Sequence, residues 1–141
     1  MCRIYQLVGI FVLGAFNCIA DDCKSSEPWV QARENCRRQI SEDDECFWNC
    51  VHGTLGILDD SGRLSEDKIH DVVEKLIDEP ELREVMEKSQ TNCISQIDDT
   101  MNACKGSKMF NKCSWSDEEV VQALKAENYC QEDFEDLIKN Q

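Results

Sequence analysis

Two prolines and six glycines in 141 residues leave little material for long loops, and no strand-like alternation, internal repeat or low-complexity linker appears. Positive charge is equally sparse. Fifteen Lys and Arg stand against 29 Asp and Glu, for a net charge of −14, and no basic cluster interrupts the surplus. Such a chain repels nucleic-acid phosphates and anionic lipid headgroups, which excludes nucleic acid and membrane surfaces as partners. The longest apolar run, L-V-G-I-F-V-L-G-A-F at residues 7–16, is too short to cross roughly 30 Å of hydrocarbon. No G-x-S-x-G elbow and no N-x-S/T sequon occur, so a serine hydrolase and N-glycosylation are not expected.

What is abundant is cysteine. The first twenty residues join Arg3, that short apolar run and the small-residue end N-C-I-A, the pattern of a secretory signal peptide cleaved after Ala20. Residues 21–141 then form one secreted domain, long enough to bury a core. Cys2 and Cys18 depart with the leader. Eight remain: Cys23, Cys36, Cys46, Cys50, Cys93, Cys104, Cys113 and Cys130. An even number in a small secreted chain reads as a disulfide framework, because the secretory pathway oxidises thiols.

The rest reads as helix. Residues 27–40 have Pro28 in a first-turn position, where its missing N–H costs nothing. Asp43 or Asp44 can cap a second helix running through Cys46 to about Leu58, and D-D-S-G then turns the chain. Ser65 opens the clearest helix, with Glu66 and Asp67 at its positive end and Ile69, Val72, Val73, Leu76 and Ile77 on one stripe. Another starts near Pro80 and turns Leu82, Val85, Met86, Cys93, Ile94 and Ile97 inward. A shorter one is expected over Met101–Lys112, weakened by Gly106. Ser116 and Glu119 form a capping box ahead of Val120, Val121 and Leu124. The tail puts Phe134, Leu137 and Ile138 on one side of a last amphipathic turn or two. The fold class is all-α.

The stretch E-C-F-W-N-C-V-H tests what the cysteines do. Structural zinc takes four Cys or His ligands in two close pairs, but Cys46 and Cys50 have no second pair to join, and His52 lies off their helical face. A redox pair wants C-x-x-C at a helix start, whereas this is C-x-x-x-C within a helix. Aligning Gly62 with the glycine of a calcium loop puts Ile57 and Lys68 at ligand positions, which excludes that reading too. Residues i and i+4 share a helix face one turn apart, so Cys46 and Cys50 suit two bonds to two different neighbours. No metal, cofactor or catalytic residue is assigned.

Written as gaps, Cys46-x3-Cys50-x42-Cys93-x10-Cys104-x8-Cys113 resembles the insect odorant-binding protein family (the PBP/GOBP type), and D-D-E-C-F-W-N-C-V-H-G-T-L-G-I-L-D-D-S-G-R-L is similar to its third helix and following turn. The resemblance covers roughly Cys23 to Trp115. It implies a disulfide-stapled bundle of about six helices around an apolar cavity. It also implies bonds from first to third, second to fifth and fourth to sixth cysteine. With Cys23 as the first, the preferred assignment, these are Cys23–Cys50, Cys46–Cys104 and Cys93–Cys113, with Cys36–Cys130 in addition. With Cys36 as the first, they become Cys36–Cys50 and Cys23–Cys130. The tail beyond Cys113 is more similar to the related salivary proteins of blood-feeding flies.

A carrier of apolar ligands needs an unfilled apolar space inside a braced shell. The expected lining is Val51, Leu55, Leu58, Val73, Leu76, Met86, Ile97, Met101, Phe110, Val121 and Leu124, and Trp48, Trp115 and Tyr129 are candidates to stack on a ligand or close the mouth. His52 and His70 are the only groups that titrate near the acid end of physiological pH. The leading expectation is a secreted carrier of small hydrophobic, odorant- or pheromone-like molecules. The alternative is a salivary or seminal effector of the same fold, acting by ligand scavenging or protein contact. A second copy or a receptor are the macromolecular partners such a fold admits.

Overall fold

The computed structural model describes residues 23–130; the leader and the amphipathic tail, with Phe134, Leu137 and Ile138, lie outside the described residues. Six helices follow one another: α1 (Glu27–Arg37), α2 (Phe47–Leu55), α3 (Glu66–Leu76), α4 (Pro80–Ile94), α5 (Ala103–Ser116) and α6 (Glu118–Ala126). α1 packs on α2, α2 on α5, and α4 on α3, α5 and α6.

Local chemistry sets most helix ends. Prolines occupy the first turn of α1 and α4. α2 stops at Leu55, short of the expected Leu58, because Gly56 enters the left-handed region at φ 81°. In the D-D-S-G turn the Asp59 carboxylate accepts from Ser61 N (2.8 Å), Ser61 Oγ (2.7 Å) and Arg63 N (3.0 Å), which holds its carboxyl below the usual range. Leu58 and Leu64 pair across that turn. Ser65 caps α3, its side chain accepting from Lys68 N.

Two boundaries differ from expectation. α5 begins at Ala103 under an Asn102 cap, whose Oδ1 accepts from Lys105 N at 2.8 Å, and it runs on to Ser116. Gly106 does not interrupt it; a Cβ there meets Ile97 Cγ2 at 3.3 Å, so the glycine permits close approach. The expected Ser116–Glu119 capping box is absent. Ser116 is the last residue of α5 and its hydroxyl donates to Lys112 O (2.7 Å), while Asp117 ends α5 and caps α6 by accepting from Glu119 N (3.0 Å).

The disulfides are Cys36–Cys50, Cys46–Cys104, Cys93–Cys113 and Cys23–Cys130. Cys36 therefore fills the first family position, and the preferred Cys23–Cys50 and Cys36–Cys130 bonds are corrected. The reason is the length of α1. Cys36 sits in its last turn, directly before the chain folds back into α2, whereas Cys23 precedes its first turn, about 15 Å away along the axis. Cys23 instead lies beside the end of α6, where Lys24 N donates to Asn128 O and Cys130 N donates to Lys24 O, both at 2.9 Å. As their spacing suggests, Cys46 and Cys50 reach opposite neighbours, α5 and α1.

Candidate functional site

The helices leave an apolar cavity of about 80 Å³ between them. One wall is α3, whose residues Ile69, Val72, Val73 and Leu76 line it together with the cap residue Ile77. Trp29 of α1, Leu55 and His52 of α2, Met86, Ser89 and Gln90 of α4, Phe110, Ser114 and Trp115 of α5, and Val120 and Leu124 of α6 form most of the rest of the shell. Among the described residues no Asp, Glu, Lys or Arg lines it. Leu76 is 37 % exposed and touches solvent as well as the cavity, and Leu55, Val72 and Leu76 also border a shallower depression beside α1. This is the side on which the cavity approaches the surface.

Of the residues expected to line it, Leu55, Val73, Leu76, Met86, Phe110 and Leu124 do. Five lie elsewhere. Val51 is fully buried between α1 and α2 with Ala32, Cys36 and Phe47. Leu58 is used in the bridge to Leu64, and Ile97 packs near Phe110 and against Gly106. Met101 lies in the turn before α5, where its carbonyl accepts from Arg63 Nη1 (3.1 Å), and Val121 is half-buried on α6 off the cavity face. Val120 takes the place expected of Val121.

The aromatic residues make a box at one side. Trp29 faces Trp48 (6.3 Å between ring centroids), Trp115 (5.3 Å) and His52 (6.3 Å), and Phe110 meets His52 edge-on at 5.5 Å. Trp115 and Tyr129 line the cavity; Trp48 packs behind, edge-to-face with Phe47. His52 is 0 % exposed, and burial alone lowers its pKa to about 3, so the ring is neutral at physiological pH. Sequence reasoning missed His52 and Trp29. The signal for His52 was present: Trp48, His52 and Leu55 fall at i, i+4 and i+7, a second apolar face of α2. His70, by contrast, is half-exposed on α3, with Nε2 3.2 Å from Thr91 Oγ1.

The far end is flanked by the segments before α1 and after α6, which pair through Lys24 and Tyr129. Ser26 and Tyr129 line the cavity, the Tyr129 hydroxyl donates to Glu79 Oε2 (3.2 Å), and Lys24 stands over the Tyr129 ring while paired with Glu79. Burial and the neighbouring Glu79 carboxylate push the Tyr129 pKa up to about 12, while Lys24 holds the Glu79 carboxyl below its ordinary range. Cys23–Cys130 locks this closure covalently.

The arrangement can hold an apolar molecule; among the described residues no charged acid–base pair lines the cavity, and the sulfurs of Cys46 and Cys50 are spent in bonds. No curated protein and no solved structure matches the chain significantly. A family model described as the PBP/GOBP family matches residues 14–117, and with that match over most of its length the chain belongs to this family, the insect odorant-binding proteins.

Proposed function

We propose that the protein is a secreted, non-enzymatic carrier that takes a small hydrophobic molecule of odorant or pheromone type into the cavity and holds it without a covalent bond. The observation that carries this reading is the cavity itself: a largely buried apolar space with no charged lining among the described residues, inside a shell braced there by four disulfides. Apolar walls give little to water and accept apolar guests. The bonds supply stability that a filled core otherwise provides, typically about 2–4 kcal/mol each. Secretion accords with the leader-like first twenty residues and with the oxidised cysteines.

The test is fluorescence titration of the oxidised protein, without its leader, with N-phenyl-naphthylamine, followed by displacement with small apolar compounds. Saturable binding near one probe per chain, reversed by those compounds, supports the carrier. No binding by correctly oxidised protein refutes it and favours an effector working through its surface.

A further inference from the structure

Charge is unevenly spread over the helices. The chain carries a net charge of −14, yet α5 holds three lysines and no Asp or Glu. Lys105, Lys108 and Lys112 form no run in the sequence, but their spacing puts them on one face of the helix, and all three are exposed. Met109, 37 % exposed, lies among them. The other side of α5 is used inside the bundle, where Ser107, Phe110, Asn111 and Ser114 are buried. No carboxylate pairs with any of the three ammonium groups among the described residues.

The outer side of α3 carries the opposite charge. Asp67, Asp71 and Glu74 are exposed on the face away from the buried Ile69 and Val73, and they too have no basic partner among the described residues. Their spacing is four residues and then three, which is that of Lys112, Lys108 and Lys105 read backward. Two such helices laid antiparallel bring Lys112 to Asp67, Lys108 to Asp71 and Lys105 to Glu74, with axial steps of about 6 and 4.5 Å on both. Laid parallel, the middle pair is out of step by one residue. Both faces point to solvent, so they meet between two copies and not within one chain. A long polyanion or an anionic bilayer overruns a stripe of about 10 Å onto acidic surface and is repelled, whereas a short acidic helix is not.

We propose that the lysine face of α5 is a docking surface for a second copy of this chain, which presents the Asp67, Asp71 and Glu74 face of its α3. The contact joins two different surfaces, so each assembly keeps one face of either kind free and grows past two chains unless a ring closes. Exposed ion pairs contribute little singly and the net charges of the two copies repel, so the contact is weak and needs the three pairs together. It stands apart from the carrier reading and requires no ligand in the cavity.

Sedimentation equilibrium of the oxidised protein at up to about 1 mM tests it, with three variants whose helices are checked by circular dichroism. One reverses α5 (Lys105→Glu, Lys108→Glu, Lys112→Glu), one reverses α3 (Asp67→Lys, Asp71→Lys, Glu74→Lys), and the third carries all six changes. The third keeps the wild-type net charge, which separates local pairing from overall repulsion. Wild type and the sixfold variant are expected to associate alike. Either triple variant alone associates at least about tenfold more weakly, although reversing α3 lowers the net repulsion, and an equimolar mixture of the two regains association. Carbodiimide crosslinking of isotope-labelled with unlabelled wild type gives a readout free of substitutions: intermolecular peptides are expected to join Lys105, Lys108 or Lys112 to Asp67, Asp71 or Glu74. A wild type that stays monomeric throughout refutes the docking surface. Association that survives either triple reversal, that the sixfold variant fails to regain while helical, or that crosslinks only through other residues refutes the α5–α3 contact.

Discussion

A fully buried histidine with neither nitrogen paired is a costly residue, and pH makes the cost measurable. The His52 pKa is near 3 in the fold and near 6.5 when the chain is unfolded. Above 6.5 both states are neutral and the ring has no effect on pH dependence. As pH falls from 6.5 toward 3 the unfolded chain takes up a proton that the fold refuses, so stability is lost at up to about 1.4 kcal/mol per unit. The groups around the ring are aromatic; the nearest charge among these contacts is Arg33, whose guanidinium stands 6.0 Å from the centroid of Trp48. Between pH 7 and pH 5 the His52 share comes to about 2 kcal/mol. Denaturant unfolding of wild type and His52→Phe at both pH values isolates it. Asp59, Glu79 and Asp98, whose carboxyls are held below their usual range, weaken both proteins equally on acidification and cancel in the difference. Wild type is expected to lose about 2 kcal/mol more than the variant; equal losses show that the ring protonates within the fold.

Among the elements, α3 stands apart. It contributes four residues to the cavity, with its cap Ile77 a fifth, and neither it nor α6 carries a cysteine; but the chain just after α6 is held by Cys23–Cys130, and α1, α2, α4 and α5 each hold a half-bond within the helix, so α3 is left without one in or beside it. Its close neighbour is α4, and its ends are held by apolar packing of Ile69 and Ile77 and by Lys68 Nζ to Leu58 O (2.8 Å) and Arg83 Nη2 to Ile77 O (2.8 Å), with no covalent bond. The wall without a disulfide is therefore the one expected to open most readily. Hydrogen exchange is expected to show α3 amides opening faster than those of α2 and α5 and slowing most when ligand is bound. Uniform protection across the four stapled helices and α3 defeats that expectation. α3 was also the element most legible in the sequence, since Ser65, the acidic first turn and the apolar stripe all fix the same helix. Where two residues compete for one role, pattern alone chose poorly. Ser116 and Asp117 both suit a cap, and only the abutment of α5 on α6 gives it to Asp117. Val120 and Val121 both suit the cavity, and the rotation of α6 decides between them. His52, weighed in the sequence only as a metal ligand and a titrating group, was not placed in the wall, because a polar side chain on an apolar face gives no sign of burial until its surroundings are known.

At the scale of the whole molecule, the Cys23–Cys130 bond stands outside the three that match the family's pairing, and its place in the chain gives it a distinct role. Gap arithmetic admitted both Cys23 and Cys36 as partners of Cys50; the length of α1, a three-dimensional quantity, separated them. Cys23 and Cys130 are 107 residues apart, against 14 for Cys36 and Cys50. The other bridges shorten the loop that Cys23–Cys130 closes in the unfolded chain to roughly 45 residues, still worth about 4 kcal/mol of chain entropy against about 3 kcal/mol for Cys36–Cys50. Its loss also frees the paired segments carrying Ser26 and Tyr129, the closed end of the cavity. The double variant Cys23→Ser, Cys130→Ser is expected to fold, because the three remaining bonds hold α1, α2, α4 and α5 together. Its denaturant midpoint drops by an amount equivalent to about 3–4 kcal/mol, and it binds N-phenyl-naphthylamine more weakly and releases it faster. The stability change and the binding change have different causes, and saturating probe separates them: ligand restores part of the lost stability in both proteins, but less in the variant. A variant that loses stability while keeping wild-type release rates shows that the bond braces the segments before α1 and after α6 without sealing the cavity.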